Sequence, residues 1–482
     1  MKLSKQLIRQ RHVSVVVAAV AFAALLFLPH ANAQTIKSVD KTLPEVLRSS
    51  NEKSCFCKLG GEVDDCSCTV ESVDLFNNNQ IYEQLTDLLA TDYFKYYPVD
   101  LLTPCTIWKD EGTCSLSNCG VKACTEDEVP EGLKNGKGEE NQSAKTAGKK
   151  YSEEAQEEGC RQVDETEVTL SKIDKTISEA SNEAFKTWSK HDDAQNDFCQ
   201  LDDETSPTLE YVNLLLNPER YTGYAGPHAN KIWTSIYKEN CFIDKSPDDS
   251  SYGLPIAGMC LEKRVFYRMV SGLHTSINTH LSARYYHPPK TAFDKGTWDL
   301  NASEFYDRFD PEKTYGHGPT YLRNLYFTYL VELRALAKAA PYLKDQLFYT
   351  GKKEYDEKTR ETVAKLLDVA TNFPHHFDES KLFQGEASQL KEEFRLKFLN
   401  ISQIMNCVGC DKCRLWGKIQ VRGMGTALKI LFSGDDMSAN SVLTSESSHF
   451  QLNRVEIVSL FNAFGRLSTS IALIEEFRRL VP

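Results

Sequence analysis

The chain is 482 residues long, 41% hydrophobic and 26% charged, with a net charge of −12. That length buries a large core and allows more than one domain, and the composition is that of a globular chain. The acidic balance, with no long basic run beyond the extreme N-terminus, excludes docking onto phosphate backbones, so no nucleic-acid partner is expected.

Lys2, Lys5, Arg9 and Arg11 precede an apolar run from Val13 to Leu28, and Ala31-Asn32-Ala33 then offers the small-x-small pair of a signal peptidase site. Residues 1–33 are expected to be a cleaved secretory signal. An uncleaved anchor is the alternative, because the run is near the short limit for crossing a bilayer. No later segment is expected to span, and the terminal Arg478 to Pro482 carries no KDEL-type signal, so retention in a lumen calls for a partner. Fifteen cysteines follow the signal. In an oxidising lumen they read as disulfides, with the odd count leaving a thiol over. Asn141, Asn301 and Asn400 head acceptor sequons, and Asn301 and Asn400 are the expected glycan sites.

Two C-x-C pairs, Cys55/Cys57 and Cys66/Cys68, bracket Gly60-Gly61 and predict a small disulfide-pinned hairpin. Apolar residues recur at helical spacing from Val70 to Tyr97. A mobile acidic loop is expected over about 109–158, which is poor in aromatics and cannot offset its ordering entropy. Cys114, Cys119 and Cys124 sit at its start and Cys160 just past its end. Helical stripes follow at Val265, Met269, Leu273, Ile277 and Leu281, at Leu322 to Leu336, at Leu390 to Met405, at Arg414 to Phe432, and from Ile457 to Leu480. The expected architecture is all-α: a single large helical domain over 34–482.

Cys407-Val-Gly-Cys410-Asp-Lys-Cys413 is a C-x-x-C-x-x-C. Such spacing closes a small, readily broken disulfide ring, and Lys412, Arg414, Lys418 or a helix N-terminus would acidify one thiol. Zinc would want a fourth ligand, an iron–sulfur cluster a fourth cysteine, and neither follows. A redox pair is favoured by the compartment, with a structural disulfide as the alternative. The looser Cys114/Cys119 pair has structural spacing but a mobile setting. Gly423-Met-Gly425 is no dinucleotide fingerprint. A nucleotide would therefore be held by side chains, from Asn217 to Tyr224, from Trp233, and from Ser271, His274 and Asn278 on one helix strip. His375-His376 and His191-Asp192-Asp193 read as solvated or capping clusters, and no metal is expected.

Four segments, Cys407 to Lys418, Asn217 to Tyr224, Ser271 to Asn278 and Val458 to Gly465, closely resemble the endoplasmic reticulum oxidoreductins, in that family's order. The resemblance runs from about Cys55 almost to the C-terminus, short of most of the 125–158 loop. It implies a single helical domain enclosing FAD; the main alternative, from another class, is a non-catalytic disulfide-rich binding protein that retains the scaffold. It implies a thiol oxidase of the endoplasmic reticulum lumen that reoxidises protein disulfide isomerase and related thioredoxin-fold partners. Electrons would pass from the shuttle pair Cys114/Cys119 to the inner pair Cys410/Cys413, then to FAD and dioxygen, giving hydrogen peroxide. The family pattern pairs Cys105 with Cys407, Cys55 with Cys68, Cys57 with Cys66 and Cys241 with Cys260. An off state would pair Cys114 with Cys160 and Cys119 with Cys124, and Cys199 is left over. For FAD it points to Arg220, Thr222, Trp233, Ser271, His274 and Arg308. Relatives carry a further arginine where this chain has Tyr321, and Arg323 is the nearby substitute. A monomer, with peripheral association at the lumenal membrane face, completes the expectation.

Overall fold

A computed structural model describes residues 77, 79–105, 107, 119–134, 199, 208–219, 227–241, 261–287, 296–372, 387–432 and 452–480, all within the compact unit Ser50–Pro482. The predicted signal, the hairpin cysteines Cys55, Cys57, Cys66 and Cys68, and the residues Cys114, Asn141, Cys160, Arg220, Thr222 and Cys260 lie outside them.

In chain order the elements are α1 (Asn79–Leu89), α2 (Asp92–Lys95), β1 (Tyr96–Val99), a 3-10 turn (Glu126–Glu128), α3 (Glu131–Lys134), β2 (Glu210–Asn213), α4 (Pro227–Asn240), α5 (Leu261–Ala283), β3 (Tyr285–His287), β4 (Thr297–Asp299), α6 (Ala302–Phe309), α7 (Gly318–Lys344), α8 (Lys353–Ala370), α9 (Ala387–Met405), α10 (Asp411–Phe432) and α11 (Arg454–Leu480). The fold is a large helical domain with two short antiparallel strand pairings, β1 with β2 and β3 with β4. The apolar stripes become the core: Val265, Met269, Leu273, Ile277 and Leu281 are all buried, as are Leu325, Tyr329, Leu333 and Leu336.

α5 packs along α7, and α10 along α11, with α9 lying against α10. Both main contacts are close because a glycine stands at each. A Cβ on Gly272 would lie 2.0 Å from Thr328 Oγ1, and one on Gly423 would lie 2.6 Å from the Ser459 carbonyl. The glycines of the Ser271 and Gly423 segments therefore serve helix packing. α11 is long and apolar enough to cross a membrane, contrary to the expectation that no later segment is. Its most apolar stretch is 83% buried inside the protein, which is how a core helix of a folded domain reads.

Two expectations are corrected. The helical spacing from Val70 breaks at Tyr96, where two tyrosines, Pro98 and Val99 form β1; Pro98 lacks the N–H that a continuing helix needs. The expected mobile loop is folded over 119–134. Val129 and Leu133 form a small apolar cluster with Tyr96. The Cys124 N–H donates to Tyr211 O, and Gly132 N–H to Thr350 O. The Glu128 carboxylate accepts from Thr125 N–H at 2.8 Å, fixing the turn. Two apolar anchors and satisfied backbone groups suffice to order a stretch whose overall composition reads as loop.

Candidate redox site and the slot beside it

The cysteine triplet sits where α9 ends and α10 begins. Cys407 is bonded to Cys105, with Cα atoms 4.5 Å apart and 302 residues between them in sequence. A cysteine so committed offers no thiolate to zinc or to a cluster, so the triplet does not act as a three-thiolate metal set. Cys410 and Cys413 are buried thiols at the start of α10.

The Cys410 thiol is held below the ordinary value near 9.0. The main cause is the hydrogen bond from the Cys413 thiol, opposed by burial, and aided by the backbone N–H groups of Cys413 and Lys412. The Cys413 N–H lies 3.4 Å from Cys410 Sγ. It is thus the neighbouring thiol and the helix N-terminus that acidify Cys410. The nearby cations have other work. Lys418 donates to Asp100 O at 2.8 Å, and Arg414 to Val408 O and Leu101 O. These bonds hold the segment before Cys105 against α10.

Cys119 is disulfide-bonded, to a cysteine outside the described residues. Its carbonyl accepts from the Lys412 N–H at 2.9 Å, between Cys410 and Cys413 in sequence. Asn217 secures this approach. Its amide exchanges hydrogen bonds with the Lys122 backbone, donating to Lys122 O and accepting from Lys122 N–H, both at 2.8 Å. The Asn217 carbonyl accepts from Trp416 Nε1 at 2.7 Å. The motif beginning at Asn217 therefore clamps the segment around Lys122 to α10, a contact its sequence did not reveal. Glu219 of the same motif pairs with Arg466 of α11 at 3.1 Å, both buried.

Cys124 and Cys241 are thiols in this structure, so neither Cys119–Cys124 nor Cys241–Cys260 is formed in it. The first pairing belongs to the expected off state, and the structure holds a different state, with Cys119 bonded elsewhere. Burial pushes the Cys241 thiol far up, so it stays protonated here. Cys199, the cysteine left over, is a buried thiol that donates to Val421 O at 3.3 Å. Asn301 caps α6, accepting from Glu304 N–H, and is half-buried. Asn400 lies within α9 and is 4% exposed.

Beside the inner pair, α4, α5, α9 and α10 enclose an apolar slot with about 730 Å³ of empty space, mouth included. Trp233, Leu273, Ile277, Met405, Gly417 and Gln420 line it, with Arg466 reaching in from α11. Trp233 stacks on His274, centroids 3.7 Å apart and planes 12° off parallel. His274 Nδ1 is 3.1 Å from the Tyr237 hydroxyl. Burial, with the Arg308 charge, drives its pKa down to about 3, so the imidazole is neutral across working pH. Arg308 donates to Asn278 Oδ1 at 2.8 Å and forks onto Glu304 Oε1. The structure thus brings Trp233, His274 and Arg308 together. Ser271 joins them through Tyr237, with which its side chain is hydrogen-bonded, and its hydroxyl also accepts from Asn324 Nδ2 at 2.9 Å in the α5–α7 contact. Tyr321 influences Tyr237 and Tyr267, placing it by this cluster, whereas Arg323 is exposed.

The slot suits a flat, largely apolar heterocycle with polar edges. Its walls are aliphatic and aromatic, and both amide atoms of the buried Gln420 are without partners. The residues present therefore fit a flavin. Sequence reasoning missed Gln420 and Arg466. The available signal for Gln420 was its place seven residues after Cys413, on the same face of a helix.

The family model described as Endoplasmic Reticulum Oxidoreductin 1 (ERO1) matches residues 80–474. The mouse protein "ERO1-like protein alpha" is 49% identical over 445 residues, 89% of this chain and 92% of its own length. The human protein of that name is 48% identical, and the Drosophila melanogaster "Ero1-like protein" is 45% identical over 96% of both chains. Among solved structures, a double-cysteine mutant of S. cerevisiae Ero1p is similar with a TM-score of 0.52 and 29% identity, covering 85% of this chain and 97% of that one. A structure described as "Ero1p, Source of Disulfide Bonds for Oxidative Protein Folding in the Cell" matches with the same TM-score and 28% identity.

Proposed function

Since this chain belongs to the endoplasmic reticulum oxidoreductin family, we propose that it is a FAD-dependent thiol oxidase that reoxidises protein disulfide isomerase in the lumen of the endoplasmic reticulum. As a family member it is an oxidoreductase of that compartment, acting on protein thiols to make disulfides. The observation that carries the finer reading is the hydrogen bond from the Lys412 N–H to the Cys119 carbonyl, which sets a disulfide-bonded shuttle cysteine at the mouth of the inner pair.

A thiolate of reduced isomerase attacks the Cys114–Cys119 disulfide, and its second thiol displaces the mixed disulfide, so the isomerase leaves oxidised and the shuttle pair holds two thiols. A shuttle thiolate then attacks the Cys410–Cys413 disulfide; its partner closes the outer bond again and leaves the inner pair reduced. Cys119 in a disulfide beside an inner dithiol is the combination this structure holds. Lowering the Cys410 pKa favours its thiolate, the form that gives up electrons. The chemistry supplied by bound FAD is acceptance of this electron pair and its delivery to dioxygen, giving hydrogen peroxide. Trp233 lends a ring face and Arg308 a cation for the cofactor, with Arg220 and Thr222 as further binding residues. His274, neutral, orients Trp233 without adding charge.

Peripheral attachment to the lumenal membrane face is not carried forward, because the apolar helix α11 is a buried core element. Purified full-length protein should be yellow and should make peroxide when given reduced isomerase in air. A chain that takes up no flavin and makes no peroxide in that assay sinks the reading.

A further inference from the structure

We infer that Gln420 is a cofactor-reading residue: its side-chain amide holds the polar edge of the planar ring in the slot, deepening the flavin reading on which it rests. Gln420 is 2% exposed, lines the slot, and neither its Nε2 nor its Oε1 has a hydrogen-bond partner. A buried amide with both atoms unsatisfied is expensive, so such a pair is retained where a ligand completes it.

The surroundings specify that ligand. The other residues that line the slot offer no side-chain hydrogen-bonding nitrogen or oxygen apart from Trp233 and Arg466. A primary amide presents one N–H donor and one C=O acceptor side by side. Its complement is an edge bearing a donor beside an acceptor, which both the dione ring of a flavin and an adenine ring present; the place of the slot beside Cys410 and Cys413 is what favours the flavin ring there. The edge is also near the chemistry. Cys413, Gly417 and Gln420 follow at four and three residues along α10, so they share one helix face, with Cys413 on the turn before Gly417. A ring edge held by Gln420 extends its body along that face toward the inner pair. Trp233, which lines the slot, and Arg308, which lies near His274, are then left for the remainder of the cofactor. Gln420 is a positioning residue by this assignment: it fixes which way round the ring enters.

The test is FAD titration of the full chain after FAD removal, parent against Gln420→Leu, with the melting temperature of both FAD-free proteins. Leucine keeps the bulk and deletes the amide. Loss of the buried hydrogen-bond pair weakens FAD binding by about 10-fold or more. The FAD-free variant melts no lower than the parent, since the two unsatisfied atoms are gone, and the visible bands of flavin still bound shift. Equal FAD affinity in parent and variant overturns the assignment of Gln420 while the flavin reading stands. A variant that melts lower without FAD and binds FAD weakly only in proportion shows a packing role, and also overturns it. A parent chain that binds no FAD fails the flavin reading itself and takes this inference with it.

Discussion

Cys410 and Cys413 act on each other before they act on anything else. The Cys413 thiol donates to Cys410, and that bond is the largest cause of the lowered Cys410 pKa. In the reduced protein a thiolate therefore forms below the ordinary value near 9.0. Because this folded-state pKa lies below the unfolded one, the dithiol form gains stability as pH rises through it, and loses that gain as pH falls. Cys413→Ala removes the donor, so the onset of thiolate absorbance should move to higher pH; an unmoved onset would mean that the helix N-terminus alone sets it. Cys410→Ala should keep FAD yet abolish turnover with reduced isomerase, since no inner disulfide can close. Surviving turnover would show that the inner pair is assigned wrongly. These residues were legible in the sequence because their spacing is a property of the chain itself. Gln420 was overlooked, because its only signal is sharing a helix face with Cys413, and that gains meaning once the opposite walls are placed.

Helices read well from a 3.6-residue period: the stripes on α5, α9 and α11 were recovered at nearly their true lengths, while the Leu322 to Leu336 stripe marks only the middle of α7, Gly318–Lys344. What periodicity does not carry is which stripes meet. The slot is built by α4, α5, α9 and α10, drawn from residues 227 to 432, so it exists only in the packed bundle. The same holds for the folded 119–134 segment, whose anchors Tyr96, Tyr211 and Thr350 lie on other elements. The α10–α11 contact is the element on which the site leans, because α10 starts with the redox pair and α11 supplies Arg466 to the slot. At Gly423 an added methyl would meet Ala463 Cβ at 2.4 Å as well as the Ser459 carbonyl. Gly423→Ala should therefore cost about 1–3 kcal/mol, the usual range for overpacking a tight core. A lowered melting temperature with intact cysteines checks it; an unchanged one would show that the two helices part without penalty.

At the scale of the whole molecule, the stretch 100–105, the segment from Cys119 to Lys122 and the distant Asn217 converge on the N-terminal turns of α10. The stretch from Asp100 to Cys105 is held by Lys418, Arg414 and the Cys105–Cys407 bond. The shuttle segment is held by Lys412 N–H and Asn217. Only the disulfide is covalent, and it closes a loop of 302 residues. Constraining so long a loop in the unfolded chain is worth up to about 5 kcal/mol by chain-entropy reasoning. The hydrogen bonds remain when it is removed, so part of the local geometry survives. Replacing one cysteine alone would leave a thiol beside Cys410 to compete in exchange, so both must change. Cys105→Ser with Cys407→Ser should lower the melting temperature clearly while FAD remains bound in the slot, whose walls include neither cysteine. Peroxide formation with reduced isomerase should slow, because the shuttle segment's neighbour is no longer tied to the inner pair. If melting falls and the rate does not, the bond serves stability alone, and the hydrogen bonds to Lys412 and Asn217 are sufficient to deliver electrons from Cys119.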